Sequence, residues 1–210
     1  MTYSVKEMFL TLQGEGAQAG RVAVFCRFSG CNLWSGREQN RAKAVCQFCD
    51  TDFVGTDGPG GNKFANAALL VDAVMKLWPD SNTQPYIVCT GGEPALQLDK
   101  ELIDAFHRKG CLVAVETNGS LELPEGIDWI CVSPKKGAEL VLTYGDELKL
   151  VYPQGDFDPE QFESHLFHNF YLQPMDNERA QQNLLDVIEY CQAHPKWKLS
   201  VQMHKVIGIP

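Results

Sequence analysis

The chain has 210 residues, 44% of them hydrophobic and 21% charged, with a formal net charge of −9. That length and balance suit one soluble domain with its own core and no need of disulfide staples. The acidic excess repels phosphate backbones, so direct nucleic-acid binding is not expected, and no apolar run approaches the length of a membrane span.

The start MTYSVKEMFL has no basic stretch, long apolar segment or small-residue cleavage site of a secretion signal, which leads to the expectation of a cytoplasmic protein with reduced cysteines. Short β-rich runs bounded by turn or helix signals fall at 22–28, 86–89, 112–115, 129–132, 147–152, 170–172 and 199–203. Helical patterns lie between them. The stretch 64–78 is rich in Ala and Leu and stops at Pro79. Asp99 caps a segment whose Leu102, Ile103 and Phe106 share a face, and Gly110 closes it. Asp158-Pro159 has the order of a helix start, with Gln161 in the capping-box position. The stretch 178–193 carries Leu184, Leu185, Ile188 and Cys191 at helical spacing and ends before Pro195.

Strands alternating with helices predict βα units around a parallel sheet. A closed eight-stranded barrel takes about 250 residues. The expected fold is therefore α/β, a partial (incomplete) (β/α) barrel of parallel strands with flanking helices, built as one domain over residues 1–210. GTDGPGGNK, at 55–63, reads as a loop inside that domain. Chemically capable residues follow the predicted strands: Cys31, Thr90 to Pro94, Glu116 to Gly119, Ser133 to Lys135, Gln173 and His204. In parallel α/β folds the carboxyl ends of the strands gather at one rim, where sites are built.

Eight cysteines in a reducing compartment point to metal binding or catalysis for some of them. Cys26, Cys89, Cys111, Cys131 and Cys191 lie in or beside apolar elements, where a thiol packs as a small hydrophobe. Cys31, Cys46 and Cys49 lie in loop sequence, with fourteen residues between the first two and a CxxC formed by the last two. Structural zinc wants four closed ligands, whereas there is no second CxxC and the nearest histidine along the chain is His107. Three thiolates on a [4Fe–4S] cluster leave one iron open to a substrate or cosubstrate. A non-catalytic zinc-binding module stands as the alternative from a different class.

Phe48, directly before Cys49, adds an aromatic to a pattern that resembles the radical S-adenosylmethionine superfamily, CxxxCxxC with the first gap widened here. Gly91-Gly92-Glu93-Pro94 resembles that superfamily's motif for the methionine end of the cosubstrate, and Glu116-Thr117-Asn118-Gly119 and Ser133-Pro134-Lys135 resemble its ribose- and methionine-lining segments. FLTLQGEG at 9–16, FCRFSGCNL at 25–33, CDTD at 49–52 and LQPM at 172–175 are similar to the 7-carboxy-7-deazaguanine synthase family of the deazapurine (queuosine precursor) pathway. The resemblance implies a carbon–nitrogen lyase that converts 6-carboxy-5,6,7,8-tetrahydropterin to 7-carboxy-7-deazaguanine with loss of ammonia. It implies a cluster loop over about 31–63, a [4Fe–4S] cluster on Cys31, Cys46 and Cys49, and Mg²⁺ on Thr51. It further implies S-adenosyl-L-methionine at Phe48, Asp50, Gly92, Glu116, Ser133, Lys135 and Gln173, a homodimer, and a one-electron donor such as flavodoxin. Another radical enzyme of the superfamily, such as a glycyl-radical activase, is the nearest rival, but it needs a surface for a large protein.

The residue types bear on the expected pterin site at Leu12, Gln13, Gly14, Glu15, Arg27, Thr90, His204 and Pro210. Arg27 suits a carboxylate through its planar fork, or else forms a structural ion pair. Gln13 and Glu15 suit an edge rich in N–H and C=O groups, while Gly14 and Gly16 also read as turn glycines. Asp50-Thr51 is either a capping pair or, at Thr51, a hydroxyl for a hard cation. Thr90 stands at a strand tip, and Gly92 permits close backbone approach. The apolar VIGIP ending at Pro210 favours a docked tail over a frayed one, and His204 is either a ligand or a structural histidine.

Overall fold

The computed structural model describes residues 1–79 and 82–210. In chain order its elements are β1 (Tyr3–Leu12), β2 (Val22–Phe28), β3 (Asn62–Phe64), α1 (Ala67–Met75), β4 (Tyr86–Gly91), α2 (Lys100–Arg108) and β5 (Leu112–Thr117). Then follow β6 (Trp129–Val132), β7 (Tyr144–Tyr152), β8 (Leu166–Pro174), α3 (Ala180–Ala193), β9 (Trp197–Leu199) and α4 (Met203–Ile207). β4 and β5 are nearly continuous apolar runs, the signature of strands covered on both faces. They sit inside one sheet of order β3-β1-β2-β4-β5-β6-β7-β8-β9. β1 is antiparallel to β2 and β3, and every pair from β2 to β9 is parallel. The sheet ends on two three-residue strands, β3 and β9, that do not meet, so the barrel is incomplete, as expected.

Alternation along each strand sends one set of side chains outward and the other inward. Outward, Val24, Cys26, Ile87, Cys89, Val113 and Val115 pack against Leu70 and Val74 of α1 and Leu102, Ile103 and Phe106 of α2. Farther along the sheet, Leu148, Leu150, Phe170 and Leu172 pack against Val187 of α3 and Trp197. Inward, Ala23, Tyr86, Val88 and Ala114 form a smaller apolar plug with Phe25, Leu112 and Trp129. Caps punctuate the helices: Asn66 Oδ1 accepts from Leu69 N at 3.0 Å, and Asp99 Oδ1 from Leu102 N at 2.9 Å. Among the described residues no helix is long and apolar enough to cross a membrane.

Several expectations need correction. The helix expected at 64–78 is confined to Ala67–Met75, because Asn66 caps it and Phe64 is claimed by β3, which pairs Tyr3 with Phe64. β3 also takes the end of the stretch expected as a loop at 55–63. Asp158 does cap, accepting from Glu160 N at 3.0 Å, but the turn it starts is a short 3₁₀ segment, Pro159–Phe162. Only Pro159 and Phe162 are buried there, too few for an amphipathic face, and the strand-forming β8 begins at Leu166. The strand expected at 199–203 is instead β9, ending at Leu199, followed by α4 from Met203. β1 went unnoticed in the sequence, and its irregular alternation explains why: the register with β2 shifts between Val5 and Glu7, a bulge that breaks the period of two.

Candidate active site

The inward side chains change character along the barrel. Ala23 and Phe25 give way to Arg27 on β2, Tyr86 and Val88 to Thr90 on β4, and Ala114 to Glu116 on β5. On β7 the same face carries Glu147 and Lys149, and on β8 Gln173, paired with Val151. The apolar plug thus closes one end, and polar groups collect at the carboxyl ends of the strands.

A cavity of about 450 Å³ lies there, and every residue singled out above as a candidate ligand lines it. The cysteine trio, Phe48, Asp50 and Thr51 come from the loop after β2. Thr90 and Gly92 come from the end of β4, Glu116 from β5, Ser133 and Lys135 from the turn after β6, and Gln173 from β8. Leu12 ends β1, with Gln13, Gly14 and Glu15 just beyond it. His204 enters on α4 rather than after a strand, and it presses on Gly14, where an added Cβ would lie 2.4 Å from its Nδ1. An oxygen of Pro210 accepts from Thr11 Oγ1 at 2.8 Å, which holds the tail against β1.

Two glycines let the cysteine loop approach β4. A Cβ on Gly91 (φ 145°) would stand 2.2 Å from Phe28 O, and one on Gly92 would stand 2.2 Å from Gly30 O and 2.8 Å from Cys31 Cβ. Glu93, fully buried, joins β4 to β5, accepting from Ala95 N at 3.0 Å, Thr117 Oγ1 at 2.7 Å and Asn118 N at 2.8 Å. Burial pushes its carboxyl above the usual range against those three hydrogen bonds. Asn118 Nδ2 donates to Asn32 Oδ1 at 3.0 Å, tying the residue after Cys31 to the end of β5.

The hydrogen bond between the Cys46 and Cys49 thiols raises the proton affinity of Cys46 and lowers that of Cys49, whose pKa falls to about 6. Burial raises that of Cys31. Lys135 is close enough to act on Cys46 and Cys49; its Nζ donates to Ser133 O at 2.6 Å and lies 6.0 Å from the centre of the Phe48 ring. Among the described residues no three His, Cys, Asp or Glu side chains converge on a single ion. A donor set of three thiols around one cavity fits an iron–sulfur cube, in which each thiolate meets a different iron. Cys26, Cys89, Cys111 and Cys131 are buried away from this loop, and Cys191 lies on α3.

Arg27 satisfies both options raised for it: Nε donates to Glu7 Oε1 at 2.7 Å, and the side chain still lines the cavity. Asp50 is paired with Lys205, whose Nζ lies 2.7 Å from Asp50 and 2.5 Å from Asp176. Gln13 donates to Glu116 Oε1 at 3.1 Å, and Gln173 and Gln202 both donate to Glu15 Oε1, at 3.2 and 3.1 Å. Sequence reasoning passed over Lys149, Glu147, Glu7, Gln202 and Lys205. A signal existed for the first two. In YGDELKLVY, charged residues alternate with leucines in a run that has to be a central strand, and charges on the inner face of such a strand belong to a site.

The fold and this thiol-rimmed, polar cavity define an α/β open-barrel enzyme. The crystal structure of QueE from Escherichia coli has the same fold, with a TM-score of 0.68 and 25% sequence identity, covering 97% of this chain and 95% of that one. The 7-carboxy-7-deazaguanine synthases of Bordetella pertussis and Caulobacter vibrioides are 60% and 61% identical to the chain, each over 210 residues with both sequences covered in full. No family model matches the chain. The chain belongs to the 7-carboxy-7-deazaguanine synthase family.

Proposed function

We propose that this chain is a radical S-adenosylmethionine lyase that converts 6-carboxy-5,6,7,8-tetrahydropterin to 7-carboxy-7-deazaguanine with loss of ammonia. The observation that carries this reading is the meeting of three loop thiols, an arginine and a carboxylate–amide cluster in one cavity at the carboxyl ends of the strands. Cys31, Cys46 and Cys49 hold the [4Fe–4S] cluster. When bound, the cluster and S-adenosylmethionine together supply one-electron chemistry that removes a hydrogen atom from the substrate. The protein's task is to orient and to shield.

Phe48, Asp50, Gly92, Glu116, Ser133, Lys135 and Gln173 form the cosubstrate side. Gly92 offers backbone at a point where a Cβ has no room, and Lys135 brings positive charge beside the thiolates. Leu12, Gln13, Gly14, Glu15, Arg27, Thr90, His204 and Pro210 form the pterin side. There Arg27 takes the substrate carboxylate and Glu15 the ring's N–H edge, both charge-assisted. Mg²⁺ is assigned to Thr51, with the substrate and water completing the shell of a hard ion. In this reading residues 1–210 work as one domain with a cluster loop over about 31–63. The protein acts in the cytoplasm as a homodimer served by a one-electron donor such as flavodoxin.

Anaerobic reconstitution with iron and sulfide tests the assignment. A brown protein with about four irons per chain is expected, lost in C31A/C46A/C49A, together with consumption of the carboxypterin in the presence of S-adenosylmethionine and reductant. An iron-loaded protein that leaves the carboxypterin untouched would defeat it.

A further inference from the structure

Lys149 is a buried cation enclosed by carboxylates from separate parts of the chain. Its side chain is 5% exposed, and Nζ lies 2.8 Å from Glu15 Oε2, in the loop after β1, and 2.9 Å from Glu116 Oε2, on β5. The remaining oxygens of both carboxylates accept from neutral amides: Glu15 Oε1 from Gln173 and Gln202, Glu116 Oε1 from Gln13. Glu147 on β7 and Cys131 on β6 also face Lys149, Lys135 lies within its electrostatic reach, and His204 on α4 faces Glu15.

From this geometry we propose that Lys149 is a positioning residue for the pterin: it fixes Glu15 and Glu116 side by side as acceptors lining the cavity. The proposal rests on the pterin reading above and adds to it the group that makes that recognition work. A carboxylate has about four acceptor positions. Lys149 occupies one on each glutamate and leaves the others to amides, which a ligand's N–H edge can displace without leaving a charge unpaired. An amide partner can be exchanged in this way. Lys149 cannot, because two desolvated carboxylates left close together keep a proton between them. A protonated Glu15 presents a donor where the substrate also presents donors. Consistent with this, burial pushes Glu15 up, yet the charge and hydrogen bond of Lys149, with the Gln202 amide, outweigh it and hold its pKa at about 2.

The test is calorimetric binding of the carboxypterin to anaerobic, cluster-loaded enzyme with S-adenosylmethionine and no reductant, at about pH 6 and about pH 8.5. His204 is present in wild type and variant alike, so the difference between the proteins isolates Lys149. For K149M the expected result is binding weaker by about tenfold or more at the lower pH, recovering at the higher pH. E15Q is expected to bind weakly at both, K149M/E15Q to bind no worse than E15Q, and K149R to restore wild-type affinity. Should K149M fail to fold, K149Q carries the same expectation. A K149M affinity equal to wild type, or reduced by the same factor at both pH values, overturns the proposal while the pterin assignment stands. A wild type that binds no carboxypterin at either pH overturns that assignment, and the role of Lys149 with it.

Discussion

Arg27 donates through Nε to Glu7 Oε1, so its guanidinium is oriented before any ligand arrives, and the two side chains are only 19% and 25% exposed. With Nε taken, the outer edge of the fork is the part left for a second carboxylate, which suits a planar, bidentate partner. R27A is expected to weaken carboxypterin binding by about 2–5 kcal/mol, the usual loss for one member of a buried charge pair. The same titration on the holoenzyme measures it, and an unchanged affinity would leave Arg27 only its bond to Glu7. The bulge in β1 matters at this scale too. It lets neighbours Lys6 and Glu7 both serve the site, Glu7 through Arg27, and Lys6 by holding Val54 O at 2.9 Å and Asp52 and Asp57 at 2.8 Å in the loop beyond the cysteines.

At the scale of elements, the site depends on how the strands are anchored. Asp99 anchors a strand and a helix at once. It caps α2 through Leu102 N and accepts Tyr3 OH at 2.8 Å, so β1 and α2 are pinned by one carboxylate. D99A removes a helix cap and leaves a buried hydroxyl without its partner, a loss of about 2 kcal/mol. Y3F, which keeps the cap and removes both the donor and its need for a partner, should cost about 1 kcal/mol or less. Urea unfolding midpoints of the two variants give the comparison, and equal losses would mean that the cap contributes nothing.

For the molecule as a whole, the barrel interior carries more acid than base: Glu15, Glu116 and Glu147 surround Lys149. Burial raises the Glu147 carboxyl above its usual 4.5, Lys149 opposes the rise, and Glu116 adds to it. Its folded pKa therefore exceeds the unfolded one. The stability it contributes is full below about pH 4.5 and is lost as the pH rises through the folded value. Replacing it with the neutral isostere removes that loss. E147Q is expected to match wild type near pH 5 and to exceed it near pH 8 in urea midpoint, with the Ala17 N bond of 2.7 Å preserved by the amide oxygen. A midpoint difference that does not vary with pH would mean that Glu147 is ionised throughout.

Residue type, order and length of the chain were sufficient for the α/β class, the incomplete barrel, the distinction of three loop cysteines from five in or beside strands and helices, and the gathering of polar residues near strand ends. Apart from the barrel's incompleteness, which follows from chain length, those features are local: a CxxC, a glycine pair and an apolar run bounded by turns carry their meaning within a few residues. The tertiary structure alone decided the rest. It recruited β1 through pairing with β2 and β3, cut the expected helix at Asp158 to a single turn, and put His204 on a helix. It also brought Lys149 to Glu15 and Glu116, and Glu7 to Arg27. Each of these depends on contacts between distant segments, and a buried charge is tolerable only when a partner from elsewhere in the chain meets it. No stretch of sequence read in isolation contains that partner.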